Sequence, residues 1–174
     1  MVQDWLSENK QFIQSPNKSI NFIYTVSHPE FNSENENLNG QLITSSQNKF
    51  KLTMGPRTIY SNGKKWVSHD NRTNQAIIQN PDSSLYNSIV GMTKYNDLNK
   101  LLSVSVLRNN VATIYNKDQK IEIRFKDEEI SSILSEMNSI KVEIKEIKFD
   151  KLLIISDSLF VFDDDTTMMI DFRE

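Results

Sequence analysis

The chain has 174 residues, which is enough for one domain of ordinary size with a sizeable core. Its 20 Lys+Arg and 23 Asp+Glu residues give a formal net charge of -3, which argues against a nucleic-acid-binding protein, because such proteins normally carry a positive surface. The absence of cysteine excludes disulfides, thiolate metal sites and a cysteine nucleophile. We expect no membrane-spanning helix, since the apolar runs are far shorter than the roughly 20 residues that such a helix needs.

The N-terminal segment predicts a helix from Gln3 to about Gln14, which the Ser-Pro-Asn sequence at 15–17 ends. Its apolar face is expected to consist of Trp5, Leu6, Phe12 and Ile13. Residues 1–15 lack a basic start followed by an apolar stretch, so they do not have the pattern of a signal peptide.

After this helix the apolar residues alternate with polar ones, which is typical of half-buried β-strands. In the segment 49–54, for example, Phe50, Leu52 and Met54 fall on one side of the predicted strand. Short turns between the strands predict antiparallel hairpins. The strands predicted before the middle of the chain are 19–26, 41–45, 49–54, 57–61, 65–69 and 73–79.

The pattern becomes helical around Pro81, with one stretch ending at Gly91 and a second from Tyr95 to Leu102. Strands are then predicted at 103–108, 111–116, 120–126, 130–137, 140–149, 158–163 and 166–172. Within 140–149 the apolar parity switches between Ile144 and Ile147, which predicts a β-bulge. The fold class expected is therefore mainly β with some α, a barrel, half-barrel or sandwich formed by a single domain that spans residues 1–174.

Catalytic and metal-binding patterns are hard to assemble from this sequence. His28 and His69 lie in different segments without spaced partners, and surface positions are expected for both. The four glycines form neither a phosphate-binding loop nor a nucleophile elbow. The acidic run 163–165 lacks the ligand spacing of a calcium loop, so a solvated hairpin turn is expected there. We predict no catalytic residues, no metal and no cofactor.

The segment Ser61-Asn-Gly-Lys-Lys-Trp66 lies between two predicted strands. Asn62 and Gly63 both tolerate positive φ, so a two-residue type I′ hairpin is expected. Its predicted role is to set the register that directs Trp66, and it is architectural.

Several short motifs in order along the chain resemble those of the periplasmic outer-membrane lipoprotein carrier (LolA) family. The resemblance covers about residues 5–173. The motifs that carry it are the strand Ser19–Val26, the glycine-led strand Gly40–Ile43, the pair Lys49-Phe50, the turn Ser61–Trp66, the segment Asn74–Ile77, and the terminal Phe160-Val-Phe162 and Ile170-Asp-Phe-Arg173.

This resemblance implies an incomplete, half-open antiparallel β-barrel with an N-terminal helix and central lid helices. It implies a non-enzymatic periplasmic chaperone that binds the acyl chains of lipoproteins and shuttles them from the inner to the outer membrane, its signal peptide having been removed. The implied partners are acylated lipoproteins, an inner-membrane ABC-type exporter, and an outer-membrane acceptor or the outer membrane itself. A monomer that does not bind nucleic acid is expected. Many members have a lid-latching arginine where this chain has Ser46.

An acyl-binding cavity would need apolar side chains from the strands and from the covering helices. The strand residues predicted to line it are Phe22, Tyr24, Leu42, Phe50, Leu52, Met54 and Trp66. The predicted lid residues are Leu85, Ile89, Met92 and Leu98, with Gly91 as a hinge between the two helical stretches. Strand parity predicts a shared face for the strand residues, and each of them would equally suit a packed core.

Two other functions remain open from the sequence. The chain would also suit a carrier of another amphiphile, such as a glycolipid or a lipid-linked precursor. A half-barrel that senses lipoproteins without transporting them would need no internal cavity.

Overall fold

A computed structural model describes residues 2–27, 36–81, 95–116, 119–137, 139–152, 154–163 and 165–173. Its elements are α1 (Val2–Glu8), α2 (Lys10–Gln14), β1 (Lys18–Ser27), β2 (Leu38–Thr44), β3 (Lys49–Met54), β4 (Arg57–Asn62), β5 (Trp66–Asp70), β6 (Gln75–Gln79), α3 (Tyr95–Ser103), β7 (Val106–Arg108), β8 (Val111–Asn116), β9 (Gln119–Lys126), β10 (Glu129–Met137), β11 (Ile140–Lys151), a short 3-10 helix (Asp157–Phe160) and β12 (Met168–Asp171).

The described strands form one sheet in the order β12-β6-β5-β4-β3-β2-β1-β11-β10-β9-β8-β7. Strands β1 and β11, at the middle of this order, pair directly, and β12 and β7 are the two edges, so the sheet is not closed into a barrel. The fold is thus mainly β with few helices, as the alternating pattern predicts. Within the described ranges, no helix has the length and apolarity needed to cross a bilayer.

Two clusters of buried side chains lie on one face of this sheet. One joins Trp5 and Leu6 of α1 to α3 and to β8–β10, and the other joins Phe50 and Trp66 to β1–β3. Phe12, Ile147 and Phe149 pack against both clusters and so link them. We call this side of the sheet the inner face.

The N-terminal helix is interrupted at Asn9, which separates α1 from α2. The Asn9 side-chain amide and its backbone N–H each donate a hydrogen bond to the Trp5 carbonyl at 3.0 Å. The predicted apolar face is confirmed in spite of this break, since Trp5, Leu6 and Ile13 are buried and Phe12 is half-buried.

The β-bulge predicted in the strand from Ile140 is confirmed. Asn21 pairs with Lys148 and Ile23 pairs with Lys145, so β11 has one residue more than β1 in this interval. Glu146, in the extra stretch, has φ +50, a conformation that accommodates the additional residue.

The C-terminal predictions are partly wrong. The segment predicted as a strand at 158–163 begins as the 3-10 helix and continues without regular structure. Strand β12 is present but pairs in parallel with β6. The segments 158–163 and 166–172 therefore do not form the predicted hairpin. Asp163 and Asp165 are exposed as expected, although they lie in a connection rather than in a hairpin turn.

The turn between β4 and β5 also differs from its prediction. Ser61 pairs with Trp66, which leaves four residues in the loop, and Gly63 has φ +85 whereas Asn62 does not have positive φ. The Asn62 side-chain oxygen accepts hydrogen bonds from the backbone N–H groups of Lys64 and Lys65, each at 3.0 Å. A two-residue type I′ turn is therefore wrong, because the Asn62 side chain closes a longer loop. A side chain at Gly63 would place its Cβ 2.3 Å from the Gln47 carbonyl oxygen.

Candidate functional site

An apolar cavity of about 220 Å³ lies between the inner face of the sheet and the helices. All of its lining residues are apolar. They are Trp5, Phe12, Ile13, Ile20, Phe22, Leu42, Leu52, Met54, Leu98, Ile123, Ile130, Ile133, Ile144, Ile147 and Phe149.

The strand register explains how one wall of this cavity is built. Ile20 of β1 pairs with Leu42 of β2, which pairs with Leu52 of β3. On the other side of β1, Ile20 pairs with Phe149 of β11. Because paired residues of antiparallel strands project to the same face, these four side chains form one row across the wall.

The β-bulge lets β11 contribute side chains from two phases of its sequence. Ile144 lies before the extra residue, whereas Ile147 and Phe149 lie after it, and all three line the cavity. In a regular strand, Ile144 and Ile147 would project to opposite faces. The bulge therefore enlarges the apolar wall along this long strand.

Gly40 makes room for an aromatic ring beside the cavity. It pairs with Phe22 on β1 and with Met54 on β3. A Cβ added at Gly40 would lie 2.1 Å from the Phe22 ring, so only glycine lets that ring lie across β2. Phe22 and Met54 both line the cavity, and Gly40 provides the space between them.

The helices close the cavity on the side away from the sheet. The Trp5 indole N–H of α1 donates a 3.1 Å hydrogen bond to Glu129 of β10, and the Phe12 and Phe149 rings meet edge to face at 5.1 Å. The buried Lys18 ammonium donates to the Ile13 carbonyl at 2.6 Å, at the C-terminal end of α2, where a cation is favoured. Leu98 of α3 completes this side.

The predicted site residues fall into three groups. Phe22, Leu42, Leu52, Met54 and Leu98 line the cavity.

The residues Phe50 and Trp66 are instead buried in the adjoining core, where their rings meet edge to face at 5.3 Å. Tyr24 is also buried, with its ring 6.2 Å from that of Phe22, and is outside the lining set. The predicted lid residues Leu85, Ile89 and Met92 and the predicted hinge Gly91 lie outside the described residues. Ser46 is exposed in the turn after β2.

Sequence reasoning missed the part of the lining that comes from the second half of the chain. Ile123, Ile133 and Ile144 lie opposite one another on β9, β10 and β11. Their alternation is visible in the sequence, but the prediction assigns the cavity to the first strands and the central helices alone.

No ionisable side chain is among the cavity-lining residues that the structure describes. The nearby Tyr24 phenol has a raised pKa because burial disfavours its charged form, an effect that Arg57 partly offsets. Among the described residues, no group of His, Asp or Glu is arranged to hold a metal ion. The lining thus offers apolar contact and no proton donor or acceptor that titrates.

The opposite, outer face of the sheet carries a groove of about 770 Å³ that is larger but of mixed character. Its lining combines Lys51, Tyr60 and His69 with Phe162 and Asp163 of the C-terminal segment. We assign the candidate site to the smaller cavity, because its uniform apolar lining specifies one kind of ligand.

The position of His69 in this groove corrects a sequence prediction. His69 is buried, with its ring 4.8 Å from that of Phe162, and its Nε2 lies 3.3 Å from the Asn74 side-chain oxygen. A surface position is therefore wrong for His69, because the C-terminal segment covers the outer face of β5. His28 lies outside the described residues.

Comparison with known proteins shows a shared fold. A crystal structure of an uncharacterized conserved protein from Thermus thermophilus matches with a TM-score of 0.54 at 9% sequence identity, over 97% of this chain and 98% of that one. A LolA superfamily protein from Nitrosomonas europaea matches with a TM-score of 0.47 at 10% identity, over 92% and 97% of the two chains, a score too low to assign a family. No family model matches the sequence, and no curated protein matches it.

Proposed function

We propose that the protein is a carrier that binds the acyl part of an amphiphile in the apolar cavity and keeps it from water. The observation that supports this most directly is the cavity of about 220 Å³ with an exclusively apolar lining. An empty space of this size in a protein core costs van der Waals contacts, and a ligand that fills it would restore them. The proposal assigns the protein no catalytic role.

The cavity can supply useful binding free energy. Each methylene moved from water into it contributes about 0.8 kcal/mol, so five or six methylenes contribute about 4 to 5 kcal/mol. Release then requires another apolar acceptor, because water cannot compensate for the loss. A carrier that passes its ligand to a membrane or to a second protein meets this condition.

Lipoproteins are the ligand class that we propose first. The ordered motifs along the chain, including Gly40–Ile43 and Ser61–Trp66, resemble those of the LolA family, and the structure gives Gly40 a role next to the cavity. A monomeric periplasmic carrier would receive acylated lipoproteins from an inner-membrane ABC-type exporter. It would deliver them to an outer-membrane acceptor or to the outer membrane itself.

Displacement of a fluorescent fatty acid tests the carrier function. We expect a dansyl-labelled fatty acid to brighten on binding the purified protein and to be displaced by unlabelled hexadecanoate. A protein that senses lipoproteins without an internal site would give no displaceable signal. Absence of displaceable binding would therefore contradict the proposal.

The size of the cavity favours a second candidate, a carrier of an amphiphile other than a lipoprotein. A volume of about 220 Å³ is below the roughly 300–1,000 Å³ typical of small-molecule sites, and three acyl chains would need far more. Native mass spectrometry of the protein purified from its own host would separate the candidates. A bound glycolipid or other lipid-linked precursor would favour the second one, whereas bound lipoprotein would favour the first.

A further inference from the structure

Apolar side chains continue along the inner face of the sheet beyond the end of the cavity. We call Val26, Met137, Ile140 and Val142 the apolar strip. Val26 pairs with Val142 across β1 and β11, and Met137 pairs with Ile140 across β10 and β11. Each pair therefore projects to a single face.

The face in question is the one that carries the cavity. Ile144, which lines the cavity, pairs with Ile133 of β10, another lining residue. Ile140 and Val142 precede Ile144 at intervals of two along β11, and side chains at this spacing project to the same side of a strand. Tyr24, which pairs with Ile144, lies on β1 between the cavity residue Phe22 and Val26 of the strip. Along β1 and β11, the cavity and the strip thus form one continuous apolar surface.

Unlike the cavity, the strip is open to solvent. Val26, Met137 and Ile140 are 43%, 47% and 40% exposed. Single exposed apolar residues need no explanation, but these side chains are neighbours on one face and extend a binding cavity. The strip carries the apolar surface about 13 Å beyond the cavity residue Ile144, as far as Ile140, at about 3.3 Å per residue.

Polar side chains border the strip on β9 and β10. The Gln119 side-chain amide donates a 3.0 Å hydrogen bond to the Ser135 hydroxyl. Ser135 pairs with Val142 and Gln119 pairs with Met137, so both polar residues share the face of the strip. An amphiphile with its chain on the strip would lie next to these hydrogen-bonding groups.

We propose that the apolar strip binds the part of an acyl chain nearest the head group, while the far end of the same chain lies in the cavity. This inference rests on the proposed function and specifies the ligand as one long chain. The chain would enter along the strip, at the C-terminal ends of β1 and β10 and the N-terminal end of β11. A narrow band of four side chains suits a linear aliphatic chain, whereas a stable protein partner usually covers about 800 Å² on each side. The cavity alone holds only the end of such a chain, so affinity depends on chain length beyond what the cavity accommodates.

A chain-length series tests this ligand specificity. Octanoate, dodecanoate and hexadecanoate are compared as competitors of the dansyl-labelled fatty acid, with wild-type protein and with the double variant Val26→Ser, Ile140→Ser. A fully buried methylene improves affinity about fourfold. Because the strip is half-exposed, we expect hexadecanoate to bind the wild type at least about tenfold more tightly than dodecanoate. The double variant should reduce this ratio to about threefold or less and leave octanoate affinity unchanged.

Val161→Ser is the matched control, since Val161 is 46% exposed but lies in the groove of the outer face. Thermal unfolding of all three proteins verifies that they are folded. If the double variant keeps the wild-type ratio, the inference is overturned and the carrier function stands. If no fatty acid binds the wild type, both are overturned. A dimer in sedimentation experiments that the double variant dissociates would show that a second copy covers the strip, which would also overturn the inference.

Discussion

The inner and outer faces of the same sheet differ in how their apolar side chains are covered. On the outer face, Val67, Ala76 and Ile78 form a buried cluster against which Tyr60 and Phe162 pack. The Phe162 ring lies 5.4 Å from the Tyr60 ring and 4.8 Å from that of His69, so an aromatic side chain of the C-terminal segment covers this cluster directly. On the inner face, helices cover the sheet and leave a cavity beneath them.

This difference shows that the cavity does not result from a shortage of apolar side chains. Phe50 and Trp66, on the inner face, are among the most completely buried large side chains in the described part of the protein. The cavity lies beside them, where Ile, Leu and Met side chains converge from strands on both sides of β1. The chain fills one part of the inner face and keeps space in the next, which is what a binding protein requires.

The largest effect is expected from truncation of the filled part of the inner face. Phe50→Ala should lower the free energy of unfolding by about 3 to 5 kcal/mol, because a fully buried aromatic ring that contacts Trp66 is lost. Urea denaturation measures this difference. A loss below about 1 kcal/mol would mean that this region is loosely packed and that the contrast with the cavity is wrong.

A smaller loss of stability is expected on the outer face. Phe162→Ala should lower the free energy of unfolding by about 1 to 3 kcal/mol, because this ring is only half-buried against Tyr60 and His69. Fatty-acid binding should remain unchanged, since Phe162 is remote from the cavity lining. Denaturation and dye displacement on the same samples test both statements, and weaker binding would show that the two faces are coupled.

Filling the cavity should separate binding from stability. Ile144→Trp places a larger side chain where there is space, so we expect fatty-acid affinity to fall at least about tenfold, or about 1.4 kcal/mol. The free energy of unfolding should change by less than the roughly 1 to 3 kcal/mol that overpacking of a solid core typically costs. Ile77→Trp is a control on an exposed position of β6 and should leave affinity unchanged. A strongly destabilised Ile144→Trp protein would indicate a solid core at this position.

The smallest effect is expected at the surface ion pairs of β4 and β5, which belong to neither apolar region. The Arg72 guanidinium, helped by Arg57, holds the pKa of the Asp70 carboxyl well below its usual range. Arg72→Ala should therefore raise this pKa, which an NMR titration of the Asp70 carboxyl carbon measures. Asp70 itself contributes stability only where it is ionised, so this contribution is present above its unfolded-state pKa of about 3.9 and is lost as pH falls through the native value. Salt should weaken the effect, and a pKa that does not change would show that this pair has no influence in solution.

Local patterns in the sequence predicted much of this fold. Alternation placed the strands, and the parity switch between Ile144 and Ile147 revealed the bulge, because both depend on which side of a strand a residue faces. The parallel pairing of β12 with β6 was missed, since it joins segments far apart in the chain and has no local signature. The 3-10 helix was missed because Leu159, Phe160 and Phe162 have the composition of a strand.

The apolar character of the site was predictable from the sequence, but the set of residues that lines the cavity was not. Parity put Leu42, Phe50 and Leu52 on one face, yet it could not tell that Phe50 packs solidly while Leu42 and Leu52 border a cavity. That distinction depends on how the helices and β9–β11 approach the first strands. Packing of this kind is set by volumes in three dimensions rather than by order along the chain.

The extra residue in β11 also affects how related sequences should be aligned. Deletion of one residue at Glu146 would remove the extra residue and leave the pairs between β1 and β11 unchanged, so Ile144 and Ile147 would both still face inward in a regular strand. A gap of one residue is therefore compatible with the binding surface at the bulge, whereas deletion of Glu143 would turn Val142 and Ile140 toward the outer face. In an alignment of related sequences, a change of one residue in the length of β11 belongs at the bulge and not in the regular part of the strand.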